Sequence, residues 1–154
     1  MKISVSLLIA FIGIAVISSC SKKDSGSKNS PTDSTNNTMA AIVGTWEADS
    51  VTLTYTYSGF VVFNQDSIFT HGHSIVEIFN ADSTGLLIDD TQTPADTTAG
   101  KYYFANDSLY TLYTGQTTYT STAKYTLSNN HLTLAQAQDS LGGVVTGVLY
   151  FTKQ

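Results

Sequence analysis

The chain has 154 residues, with no arginine and seven lysines against twelve acidic residues, a formal charge of −5 at pH 7. That balance excludes nucleic-acid binding, because neutralising phosphates requires clustered Lys and Arg. A single cysteine excludes an internal disulfide.

The N-terminus opens on Met1-Lys2, a short positive start, and Ile3 to Ile17 is almost wholly apolar. As a helix, fifteen residues rise about 22 Å, short of the roughly 30 Å hydrocarbon core. The length suits the apolar region of a secretory signal better than a spanning helix. The segment ends in Ile17-Ser18-Ser19-Cys20, which resembles the lipobox of bacterial lipoproteins at all four positions. The resemblance implies cleavage after residue 19 and lipidation of Cys20, a palmitate-type anchor carried on several acyl chains. One chain holds a protein only marginally, and two or more hold it firmly. The chain after cleavage keeps six lysines and twelve acids, a formal −6.

Ser21 to Thr38 has no apolar side chain except Pro31. Such a segment buries too little surface to offset its ordering entropy, so residues 20–38 are expected to form a disordered, membrane-proximal linker. A flexible coil of that length spans roughly 20–25 Å root-mean-square. Ser21 after Cys20 resembles the pattern of outer-membrane lipoproteins, and Lys22-Lys23-Asp24 loosely resembles a surface-export signal. A plain solvated linker fits the same residues. The outer membrane is the expected location, with the periplasmic and exterior faces both open.

Residues 39–154 are expected to make one domain of about 116 residues. They are rich in Thr and Tyr and poor in Glu and Lys, a strand-forming composition. Ile42 to Trp46 is a short lead-in. Asp49 to Ser58 alternates strictly, with Val51, Leu53, Tyr55 and Tyr57 on one face and threonines on the other. Ser58-Gly59 turns this strand into Phe60 to Gln65. Asn80 to Gly85 reads as a hairpin loop between Ile75–Phe79 and Leu86–Ile88. A polar loop holding Pro94 follows. Two segments, Tyr102 to Leu109 and Tyr125 to Leu132, each read as strand, two-residue turn, strand. Asn106-Asp107 and Asn129-Asn130 suit the positive φ of type I′ hairpins. Val144 to Lys153 closes the chain. Sequential hairpins of about eight to ten short strands predict an all-β, antiparallel up-and-down barrel.

Gly44-Thr45-Trp46 precedes the first long strand, and two later hairpins recur in order, Phe79 to Gly85 and Tyr125 to Leu134. Together with the lipobox, these segments resemble the small bacterial lipocalin-like lipoproteins. The resemblance implies that Trp46 plugs one end of the barrel beneath a basic residue of the final strand, with Gly44 letting the chain pass close. With no Arg available, Lys153 is the candidate for that residue, through a cation–π contact of about 0.5–2 kcal/mol. Trp46 as simply the largest core residue fits equally. The barrel is expected either to hold a small hydrophobic ligand lined by Tyr55, Tyr57, Tyr103, Tyr125 and Tyr150, or to be filled and serve as a structural or interaction module.

Other chemistry is sparse. His71-Gly72-His73 with Glu77 is the sole metal-like grouping, but Gly72 suggests a loop and a fourth ligand is not evident, so no metal or cofactor is expected. His131 falls in a hairpin turn. Asp89-Asp90 reads as a solvated strand end. No nucleophile elbow is present and Cys20 is consumed, so a non-catalytic protein is expected. Asp followed by Ser or Thr and then by Thr or an aliphatic residue recurs at Asp33, Asp49, Asp66, Asp82, Asp96, Asp107 and Asp139. This resembles a bacterial O-glycosylation acceptor, and turn chemistry explains it as well.

Overall fold

The computed structural model describes residues 34–114 and 119–154. The expected signal segment 1–19, Cys20, Asp33 and most of the expected linker lie outside them. A short helix α1 (Ser34–Ile42) leads into nine strands: β1 (Gly44–Tyr57), β2 (Phe60–Ile68), β3 (Ile75–Phe79), β4 (Thr84–Asp89), β5 (Asp96–Ala105), β6 (Ser108–Thr114), β7 (Tyr119–Ser128), β8 (His131–Ser140) and β9 (Gly143–Lys153). The sheet order is β2-β1-β3-β4-β5-β6-β7-β8-β9, and β1 also pairs with β9. Eight strands therefore close an antiparallel up-and-down barrel, and β2 lies outside the ring as a ninth.

The long alternating strand β1 makes this closure. One edge pairs with β9 almost from end to end, Trp46 opposite Lys153 and Thr56 opposite Val144. The other edge is shared. Gly44–Glu47 pair with β3, and Ser50–Tyr57 pair with β2. A register shift between Ala48 and Ser50 advances the alternation by one residue. Trp46, Ala48 and Val51 all bury as a result.

The turns follow their residues. Asn106-Asp107, Ser58-Gly59 and Leu141-Gly142 all take positive φ, as two-residue hairpins demand. At Asn129-Asn130 only Asn129 does, at φ 52°. Inward side chains alternate with outward ones to build one core, in which Trp46, Phe79, Phe151, Ile75 and Leu132 are almost wholly sealed from solvent. Each large apolar side chain so buried is worth about 1.5–3 kcal/mol.

One expectation is corrected. Residues 34–38, read above as the end of the disordered linker, are helical, and Ile42 ends that helix rather than opening a strand run. Tertiary docking rather than local propensity explains it. Ile42 is fully buried, Met39 packs against the core, and the Trp46 indole N–H donates to the Ile42 carbonyl at 2.6 Å. That bond satisfies one of the carbonyls a helix C-terminus leaves free.

Candidate binding site

The two ends of the barrel differ. At the α1 end, Trp46 is 0% exposed, with the Lys153 ammonium 5.2 Å from the centroid of its ring. The same ammonium donates to the Ala41 carbonyl at 3.1 Å. Gly44 sits at φ 141°, and a Cβ there would lie 2.6 Å from Lys153 Cε, so glycine is what lets the lysine stem cross. Gly44, Trp46 and Lys153 are thus brought together. Edge-on aromatic pairs, Phe79 with Tyr102 at 4.9 Å and Phe104 with Tyr125 at 4.8 Å, pack into the core at this end.

A buried polar pair lies beside this plug, with Glu77 directly opposite Trp46 in the β1–β3 ladder. Glu77 on β3 and Tyr113 on β6 are both buried. The Tyr113 hydroxyl donates to Glu77 Oε1 at 2.9 Å. Tyr113 lies against Gly100, where a Cβ would come within 3.1 Å of its ring and 2.9 Å of the Leu112 carbonyl. Desolvation pushes the Glu77 carboxyl up to about 7, against the opposing pull of the Tyr113 hydrogen bond. Nearby, Gln136 donates to the buried Ser121 hydroxyl.

At the other end the barrel flares. The β7–β8 ladder runs only from Ser128–His131 to Lys124–Ala135. Among the described residues no ladder joins the rest of β7 to the rest of β8, and none joins β2 to β4. β2, β1, β9 and the end of β8 therefore rise as a sheet past the other strands. Its inner face continues from buried Val51 through Leu53 and Tyr55, paired with Gly147 and Val145, and through Phe63 opposite Tyr55. Leu53, Tyr55 and Val145 are half-buried. This half-buried apolar wall is the candidate site.

The five expected lining tyrosines divide. Tyr55 lies on the wall, and Tyr125 is half-buried against the core. Tyr57 is exposed at the far end of β1. Tyr103 and Tyr150 stand on the outer face, Tyr103 58% exposed and stacked on Tyr110 at 4.8 Å. The strand period of two gives the inward positions to their neighbours Tyr102 and Phe151. Interior Glu77 and Tyr113 were not read from the sequence as partners. Their ends of β3 and β6 are 36 residues apart, and no local pattern links them.

The remaining sequence candidates are dispersed. His71 pairs with Glu47 at 3.0 Å, His73 reaches the Asp90 carbonyl, and Glu77 faces inward, so the three do not converge. Among the described residues no cluster of metal-ligating side chains is present. His131 is exposed, within 3.4 Å of Thr152. Asp89 turns back to accept from the Thr91 amide at 3.0 Å and from the side chains of Thr91 and Gln92. Its neighbour Asp90 instead donates its amide to the Ser74 carbonyl. Asp82 accepts from both the amide and hydroxyl of Thr84, which hold its carboxyl below the usual range. Asp49 and Asp66 accept from Thr152 and Thr52 across the sheet. A shallow depression of about 480 Å³ lies on the outer wall over Leu86, Ala99, Lys101 and Leu112.

The chain matches no protein-family model and no curated sequence.

Proposed function

We propose that this chain is a non-catalytic envelope lipoprotein, anchored through Cys20 and sorted to the outer membrane, whose lipocalin-like barrel binds a small hydrophobic ligand in the flared mouth. The observation that carries the binding reading is the half-buried wall of Leu53, Tyr55 and Val145. Apolar side chains left half-covered on an inward-facing strand surface are what a concave ligand site offers. The opposing reading, a filled barrel serving as a structural or interaction module, draws on the sealed α1 end, where Trp46, Phe79 and Phe151 leave no room.

The two readings separate on one measurement. Native mass spectrometry and lipid extraction of the chain purified from its own membrane should return a stoichiometric hydrophobic molecule, and Leu53→Asp should lose it. An extract with nothing at stoichiometry favours the filled module. The anchor is tested by intact mass. Cys20 should carry acyl groups, and Cys20→Ser should leave the chain unacylated and the membrane fraction empty of it.

A further inference from the structure

The end of the molecule opposite α1 is apolar in a way the barrel does not need. The turns Ser58-Gly59 and Leu141-Gly142 lie side by side. The Tyr55 hydroxyl donates to the Leu141 carbonyl at 3.3 Å, and a Cβ on Gly142 would touch the Tyr57 ring at 3.4 Å. Around them Phe60 is 76% exposed, Val61 and Val62 are each 63% exposed, and Leu141 is 92% exposed. No charged residue occurs from Ser50 to Gln65 or from Ser140 to Thr152, although the chain as a whole is acidic.

Leu141 is the telling residue. It holds φ 50°, a left-handed conformation that suits Gly, Asn or Asp and strains a leucine. At the same time it buries almost nothing. Folding alone favours a small polar residue here on both counts.

We propose that these paired hairpin tips insert into the interfacial region of a lipid bilayer. The shape decides between a bilayer and a second copy of the chain. Phe60 and Phe63 pair with Tyr57 and Tyr55 on one face of the β1–β2 hairpin, whereas Val61 pairs with Thr56 on the other. A folded partner seated on one face leaves the other wet. A bilayer surrounds a protruding tip on every side, and apolar side chains sink about 5–10 Å into the headgroup boundary without requiring a complementary shape. With no cation on the tip, the contact is with the apolar boundary and does not select anionic headgroups.

The test places a reporter at the tip, so that membrane binding by the N-terminal segment does not score. Phe60→Trp in the full chain is mixed with phosphatidylcholine vesicles carrying brominated acyl chains, and the signal of buried Trp46 is subtracted using the unsubstituted chain. The expected result is a blue-shifted emission quenched by bromine. Adding Leu141→Asp should lower the inserted-to-free ratio of the tip, read from the quenching at saturating lipid, about tenfold or more, from the lost burial of one leucine. Circular dichroism should meanwhile stay unchanged, because Asp tolerates the turn. An unquenched, water-exposed emission overturns the proposal. A blue shift without bromine quenching also overturns it, since it assigns the tip to a protein contact.

Discussion

Desolvation of the Glu77 carboxyl outweighs the hydrogen bond it accepts from Tyr113, and its affinity for a proton rises accordingly. The folded chain then binds a proton that the unfolded chain has released between the ordinary value of 4.5 and about 7. Stability falls as pH rises through that window and levels off above it. The shift corresponds to roughly 3 kcal/mol at full effect. Thermal melts at pH 5 and pH 8 should show the loss in the wild-type chain. Glu77→Gln, which is neutral and still accepts from Tyr113, should remove most of it. Gly100→Ala tests the same pair from the other side. Its Cβ crowds both the Tyr113 ring and the Leu112 backbone, at a cost of about 1–3 kcal/mol in denaturant unfolding. Neither partner was legible beforehand. A glutamate two residues from an apolar neighbour reads as a sheet residue of either face, and only the register of β3 turns Glu77 inward.

At the scale of elements, strands and turns were far more legible than α1. Asn106-Asp107 and Ser58-Gly59 declare their turns because their side chains tolerate positive φ. Leu141 does not, and that hairpin went unread for the same reason that it is strained. Leu141→Asn should therefore stabilise the fold, by about 1 kcal/mol from the relieved left-handed leucine, measured as a higher urea midpoint at unchanged slope. The helix was illegible because Ser34 to Thr38 shows no apolar stripe. Its attachment rests on Met39 and Ile42 alone, and whether two such residues dock depends on a surface built by distant strands. Ile42→Ala should cost about 2–4 kcal/mol by leaving a cavity under Trp46. A shift in Trp46 fluorescence would report the loosened contact.

Closure is the property that belongs to the whole molecule. β9, the last strand, is paired on both sides, with β1 near the start of the chain and with β8 just before it. Its ladder to β1 joins residues about a hundred positions apart. A proline at Val148, opposite both Thr52 and Ala135, removes an N–H from an interior strand. It should cost about 3 kcal/mol or more, read as loss of the cooperative melt. The flare at the other end has the same origin. β1, β9 and β8 are longer than β3, β4 and β6 can cover, so their far ends carry inner faces with no sheet opposite. That mismatch of lengths leaves both the half-buried wall and the apolar tip.

Local chemistry set a great deal in advance. Period-two alternation, Asn-Asp and Ser-Gly turns and hairpins in succession determine a meander of antiparallel strands, because each depends on residues within a few positions of one another. Tertiary structure alone decided which of two adjacent tyrosines faces inward, that Glu77 meets Tyr113, and that residues 34–42 coil against Trp46. Those outcomes hang on register and on long-range closure. A one-residue bulge reverses every face beyond it, and the bulge between Ala48 and Ser50 leaves no mark in the residues that make it.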